Sequence, residues 1–245
     1  SKGSIFMDTA MSITNNEFGF YTGAEINFLG EMLKVNTTVR ADKNETFDLS
    51  FSPAASIVYK PNNSDVLRLS FGSAIRNPTL SDQYLYYNVG RAILIGNLNG
   101  HGTNYGENLV TIESLYEYFT PSVPVFDSLK FFSVDPIRPE KAKSIEFGYR
   151  STFSNKLYLD ANFYYSEYED FIGYKIGAKF LADTSNGSFS IALPSIQAYR
   201  MAANAQNKVT TKGASIGINY YPNSDISLSG NYSWNSLNEK GTNDP

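Results

Sequence analysis

About eight stretches of this chain alternate apolar and polar residues with a period of two, and the connections between them run short, long, short, long. The predicted strands are 17–28, 33–43, 48–60, 65–76, 141–153, 157–172, 209–221 and 226–236. Tight turns rich in Asn, Ser, Gly and Pro fall at 30–31, 61–65, 154–156 and 222–225. Between them lie a loop near 44–47, a very long segment at 77–140 and another at 173–208. Every long connection therefore lies at the same end of the sheet. A soluble sandwich has no reason to keep that order. A transmembrane barrel does, because its turns on one side are short and its extracellular loops are long.

The strands themselves support this choice. In the cleanest of them, Leu33, Val35, Thr37, Val39 and Ala41 share one face, and Lys34, Asn36, Thr38, Arg40 and Asp42 share the other. Leu67, Leu69 and Phe71 alternate in the same way with Arg68, Ser70 and Gly72. Most predicted strands exceed the five or six residues usual in globular sheets. The expected fold is all-β: an antiparallel up-and-down transmembrane β-barrel whose apolar face meets lipid and whose polar face lines a wet lumen. No run approaches the roughly 18 consecutive apolar residues of a membrane helix, which excludes a helical membrane protein and leaves a barrel open.

Composition narrows the function. Tyr 18 and Phe 17 against a single Trp suit aromatic girdles at two water–lipid interfaces, although a soluble lectin also favours such residues. A net charge of -4 with no basic stripe leaves out the electrostatic footprint of a nucleic-acid binder. The absence of Cys removes disulfides, thiolate metal sites and thiol catalysis together. The first residues, Ser1-Lys2-Gly3-Ser4, carry no signal peptide, and Asn243-Asp244-Pro245 stops in what reads as a loop, so the chain is expected to be an excerpt.

The long segments carry patterns of their own. Leu80, Tyr84 and Tyr87 predict a short helix beginning near Thr79. Ile112, Leu115, Tyr116 and Phe119 predict a second, with Asn108 or Thr111 as its N-cap. Long ordered loops usually exist for a function. Candidate substrate-binding residues are accordingly Arg76, on the polar face at the strand rim, with Tyr84, Tyr86, Tyr87, His101 and Tyr105 in the first long loop. The plainer expectation for Arg76 is a charge pairing with a carboxylate such as Glu146, and for the tyrosines packing inside the loop.

Three stretches resemble TonB-dependent outer-membrane receptors. Phe71 to Leu80, with Arg76-Asn77-Pro78-Thr79 at its end, is similar to that family's strand-end pattern of aromatic, Arg, any residue, Pro, Thr. Ile95-Gly96-Asn97-Leu98 is similar to the Gly-Asn element that follows in the same loop. Arg138-Pro139-Glu140-Lys141 leading to Glu146-Phe147-Gly148-Tyr149 is similar to the family's Pro-Glu…Glu-x-Gly. The resemblance implies a 22-stranded barrel with an N-terminal plug, of which residues 1–245 are part of the one barrel domain, about eight strands, with the plug and terminal strands absent. It also implies a Gram-negative outer-membrane location and energised uptake of a specific nutrient. The implied partners are the TonB complex through the plug region, outer-membrane lipid, and a small-molecule or oligosaccharide substrate, with no nucleic acid, no cofactor and no enzymatic chemistry. The competing readings are a passive porin or surface adhesin barrel, and a soluble all-β carbohydrate-binding module.

Four features mimic other chemistry. Gly213-Ala214-Ser215-Ile216-Gly217 matches the nucleophile-elbow pattern, but it continues an alternating strand and the sole His, His101, lies far off in sequence. Glu167, Glu169 and Asp170 cluster at a strand top, as paired glycosidase carboxylates do, though a solvated rim is the expected reading. Asp42, Asn44 and Asp48 offer oxygen ligands without the Gly and Glu of an EF-hand. One His without Cys makes no structural zinc site, so no metal ligands are assigned.

Overall fold

Eight strands form the main sheet: β1 (Glu17–Phe28), β2 (Leu33–Asn44), β3 (Ser50–Tyr59), β4 (Asp65–Arg76), β10 (Glu140–Phe153), β11 (Leu157–Glu169), β16 (Val209–Tyr220) and β17 (Leu228–Asn238). The intervening elements are α1 (Leu80–Tyr84), β5 (Tyr86–Asn88), β6 (Ile93–Ile95), β7 (His101–Gly102), β8 (Leu109–Val110), α2 (Ile112–Phe119), β9 (Ser133–Val134), β12 (Ile172–Lys179), β13 (Ala182–Asp183), β14 (Ser190–Ile191) and β15 (Gln197–Asn204). The computed structural model describes residues 13–121, 126–183 and 190–238; the terminal residues read as the ends of an excerpt lie outside them.

The eight strands pair antiparallel in the order β1-β2-β3-β4-β10-β11-β16-β17, and the sheet is open. The chain thus leaves β4, makes its long excursion and returns to the adjacent place as β10. Register converts the period-two pattern into two surfaces. Ile26, Val35, Ile57, Leu69, Phe147, Phe163, Ala214 and Trp234 are cross-strand partners one after another across the whole sheet. One residue along, Glu25, Asn36, Ser56, Ser70, Glu146, Tyr164, Gly213 and Asn235 make the equivalent row on the opposite face. A slip of one residue anywhere would exchange the two faces.

The apolar face is uncovered. Leu69 is 43%, Phe147 45% and Phe163 45% exposed, whereas the buried hydrophobic residues all fall between Ile93 and Val209, and only Val209 belongs to one of the eight strands. This inversion is costly in water and favourable in lipid, where the exposed row meets hydrocarbon. The polar face is knitted by ion pairs: Asp160 accepts from Arg68 at 3.3 Å and from Arg150 at 2.8 Å. Gly148 is what lets Arg68 cross the sheet, since a Cβ there would sit 3.0 Å from its Nε.

Side chains close the short turns. Asn62 Oδ1 accepts from the amides of Ser64 and Asp65, and Asn223 Oδ1 accepts from those of Asp225 and Ile226, the same Asx device after Pro61 and Pro222. The helix at Thr79 forms with a reciprocal capping box: Asp82 N–H donates to Thr79 Oγ1 at 3.1 Å and Thr79 N–H donates to Asp82 Oδ2 at 2.9 Å. It ends at Tyr84, earlier than the pattern predicts, because Tyr87 belongs to β5. The second helix forms as predicted, with Thr111 as its N-cap.

The expectation for 157–172 and 173–208 needs correction. β11 stops at Glu169, Asp170 takes a positive φ of 53°, and the chain restarts as β12 in a different sheet. That sheet has five strands in the order β5-β6-β15-β12-β8, with β6 parallel to β15. The long connections therefore fold together into a body with its own core: Val110, Leu115, Tyr118 and Phe180 in one cluster, Ile93, Leu109, Val134 and Met201 in the next.

The two faces make opposite demands on one substitution. Placed in the intact barrel in lipid, Leu69→Arg is expected to cost about 2–4 kcal/mol of folding free energy at mid-membrane, and Ser70→Arg next to it close to nothing. Urea titration of the barrel in lipid vesicles measures both; equal costs would contradict the assignment of faces.

Candidate functional site

The loop body holds a cavity of about 450 Å3 at the junction of α1, β5, β6, β12 and β15. Its walls form where backbones approach closely. A Cβ on Gly96 would come within 2.4 Å of the Gln83 carbonyl carbon, so only glycine lets the two segments meet there. Gly96 N–H donates to Leu85 O at 2.7 Å and Asn97 N–H to Asp82 O at 2.8 Å. Asn97 is fully buried, and its Nδ2 donates to Asp135 O and Ala202 O at 2.7 and 2.9 Å, tying three distant segments together.

One side of the cavity is aromatic and aliphatic, from Tyr84, Tyr86, Ile95, Leu98 and Tyr199. The other is charged. Glu107 receives Lys179 Nζ at 2.6 Å and the Gly102 amide at 2.9 Å, with His101 Nδ1 at 3.5 Å. His101 Nε2 lies 3.0 Å from Gly96 O, which orients the ring. Burial opposes the charge on Glu107, but the Lys179 hydrogen bond, the Gly102 amide and the nearby cations outweigh it and hold the carboxyl below its ordinary value. Burial pushes the Tyr199 phenol up, helped by Tyr86 and Glu107, while Lys179 Nζ sits 4.8 Å from its ring centroid. Gln83 donates to Pro78 O at 2.7 Å, yet its Oε1 is buried without a partner. The site therefore offers aromatic faces, an ion pair and a fixed imidazole.

Of the sequence candidates, Tyr84, Tyr86 and His101 line this cavity together, and Arg76, Tyr87 and Tyr105 do not. Tyr105 lies against Gly100 and donates to Asp135 at 3.3 Å, and Tyr87 stands 43% exposed on β5. Arg76 pairs with Glu140 at 2.7 Å and not with Glu146, because register sets Glu140 directly across β10, whereas Glu146 lies opposite Ser70. Glu107, Lys179, Gln83 and Tyr199 were missed. Lys179 carried a readable signal, since Ile172, Tyr174, Ile176 and Ala178 alternate with Gly173, Lys175, Gly177 and Lys179.

The decoy motifs resolve locally. Ser215 stays mid-strand in β16 between Asn162 and Ser233. Glu167 and Glu169 both accept from Lys208, at 2.7 and 2.8 Å, and Asp170 accepts from Arg138 at 2.7 Å. Asp42 is held by Arg40 at 2.8 Å, and Asn44 caps the Thr46 amide. Among the described residues no group of three or more His, Asp or Glu is placed to hold a metal ion.

A wall with a lipid-type apolar face, a polar inner face and an ordered body at the long-loop end defines a β-barrel of the outer-membrane class. Within that class the chain belongs to the TonB dependent receptor-like β-barrel family, whose model matches residues 3–245. That family is one of receptors and transporters in the Gram-negative outer membrane, not a class of enzymes. Similar solved structures include the siderophore receptor PirA from Acinetobacter baumannii, at 13% identity and a TM-score of 0.57 over 90% of this chain and 27% of that one. The FrpB iron transporter from Neisseria meningitidis (F3-3 variant) matches at 13% identity and 0.52, over 91% of this chain and 25% of that one. The RagAB peptide importer matches at 14% and 0.51, over 90% and 22%. At these identities the likeness is one of fold, and the chain spans only about a quarter of each relative's length. No curated protein sequence matches it.

Two tests follow from the geometry. Asn97→Ala takes the side-chain donor from the buried Ala202 carbonyl, at about 1–3 kcal/mol. The variant is expected to open residues 97–135 to protease while the barrel keeps its heat-modifiable gel mobility; unchanged protection would show that Asn97 does not tie the loop body together. The second test is pH. Because Glu107 is held below its ordinary 4.5, its stabilisation is complete above that value and is lost as pH falls through the lower, folded value. Loop protection should therefore weaken on acidification below about pH 4.5, and Lys179→Met should shift the transition upward toward the ordinary value.

Proposed function

We propose that this chain is a stretch of the barrel domain of a longer receptor that takes up a specific nutrient across the outer membrane, energised by the TonB complex through the plug of the intact protein. The observation that carries the reading is the loop body. A passive pore needs a wet lumen and gains nothing from ordering long loops around a core, which costs conformational entropy at every position. Here that order builds a mostly apolar cavity with a few fixed polar groups, the usual form of a small-ligand site. Tyr84, Tyr86 and Tyr199 would stack on the ligand, and His101, Lys179 and Gln83 would orient it. The neighbours' names cover siderophore, iron and peptide, so the fold leaves the choice of nutrient to these side chains.

The test uses the full-length receptor in cells. Uptake of one member of a panel of ferric siderophores, cobalamin, oligosaccharides and peptides is expected to depend on this protein and to stop when TonB is deleted or the proton gradient is collapsed. Uptake that continues without TonB would make it a porin, and binding without uptake an adhesin. Tyr86→Ala and His101→Ala should each weaken binding of that nutrient by about tenfold, about 1.4 kcal/mol, without changing barrel insertion. Unchanged affinity would move recognition to the plug or the lumen wall.

A further inference from the structure

His101 stands between two acceptors. Its Nε2 lies 3.0 Å from Gly96 O, and a carbonyl can only accept, so the neutral ring carries its proton there. Its Nδ1 then turns a lone pair toward Glu107 Oε2 at 3.5 Å, an oxygen with no proton to give. A second proton, on Nδ1, converts that mismatch into a charged contact.

Glu107 is also held by Lys179 Nζ, at 2.6 Å from Oε1, and by the Gly102 amide, at 2.9 Å from Oε2. Lys179 has three N–H groups, gives one to this pair and lies 4.8 Å from the Tyr199 ring centroid, so it keeps donors to spare. Other titratable groups near the imidazole are few. Tyr84, Tyr86 and Tyr199 line the cavity with it, and β9 on its other side leads from Val134, the ladder partner of His101, to Asp135, which accepts from Tyr105. Among the described residues, Glu107 is the one acid in the cavity lining and Lys179 the one lysine. With His101 neutral these two charges cancel; with His101 charged, a positive charge is left over. Histidine is the side chain whose ordinary titration falls between about pH 5 and 8. Glu107, held below its ordinary value, stays charged across that interval, and Tyr199, pushed up by burial, stays neutral.

We propose that ligand binding in this cavity is linked to proton uptake by His101: the imidazolium takes over Glu107, and Lys179 turns to an anionic group of the ligand. The cavity therefore holds an organic anion with an apolar body against its aromatic wall, and holds it more tightly in mildly acidic surroundings. The inference rests on this cavity being the nutrient site. TonB-dependent uptake is measured without the probes used below, so the two readings fail separately.

The experiment is calorimetric titration of the purified full-length receptor in detergent with naphthoate, an ion throughout this interval, and with naphthamide, its uncharged counterpart. From about pH 7.5 to about pH 5.5, naphthoate should bind about tenfold more tightly and naphthamide equally well. Linkage is reciprocal, so naphthoate should draw in a proton as it binds, seen as a heat that varies with the ionisation enthalpy of the buffer. His101→Gln, which keeps a donor for Gly96 O, should hold naphthoate at the weaker affinity at both pH values. Glu107→Gln, which frees Lys179, should hold it at the tighter one, and Tyr86→Ala should weaken it throughout. Failure of naphthoate to bind at either pH overturns the proposal, as does an affinity that ignores pH or a naphthamide affinity that rises in step; none of these needs a variant. Dependence on pH that survives His101→Gln, or binding indifferent to Tyr86→Ala, overturns it as well.

Discussion

Backbone hydrogen bonding in lipid governs this molecule. A peptide group inside a bilayer has no water to turn to, so each wall strand must give its N–H and C=O groups to strands on both sides. That requirement produces the continuous order of paired strands from β1 to β17, and the pairing in turn forces the period-two division of side chains. Once Leu69 faces hydrocarbon, Arg68 and Ser70 face inward. The pairing of Arg68 and Arg150 with Asp160 follows, because cations on a confined inner face need counter-charge. Between β3 and β4 the ladder ends at the Ala54–Gly72 pair, and beyond it Phe51 and Ile75 continue the outward row beside Lys141 and Lys143 of β10.

A wall that spends its apolar residues on lipid has none left for a core. The loops must then supply their own, and they do so by joining segments remote in sequence: β6 lies beside β15, and β8 beside β12. Tyr84, Tyr86 and His101 converge with Glu107, Lys179 and Tyr199 because this second sheet brings them together. The cavity is thus a consequence of how the loops bury Leu109, Met201 and Ile95, and not of the barrel.

The wall was legible from residues alone because its signal is local and repeated. Leu33 to Asp42 announces a two-faced strand without reference to any partner, and Asn62 and Asn223 announce their turns. The loop body was legible only in part. Thr79 and Thr111 marked their helices, since a cap acts within three residues. β5, β6, β7 and β8 are two or three residues long, too short for any period to show. Lys179 finds Glu107 across 72 residues, a contact set by tertiary register. His101 stood out as the sole His, and Glu107 had nothing to distinguish it among the acids. Arg76 was assigned the wrong carboxylate because parity puts Glu140 and Glu146 on the same face, and only the register separates them.

Glu140 is where wall and loop body meet. Its carboxylate, nearly buried, accepts from Arg76 across the last pair of the β4–β10 ladder and from the Ile172 amide that opens β12. Removing either donor leaves a buried charge half-satisfied, so both bonds hold the chain where it passes from one sheet to the other. Ile172 in turn packs with Ile137 and Ala202 against Phe47 of the β2–β3 loop. Loop body, rim ion pair and β2–β3 loop are therefore contiguous through these residues. Contact of this kind is not coupling, which requires an element with two arrangements that both sites bias.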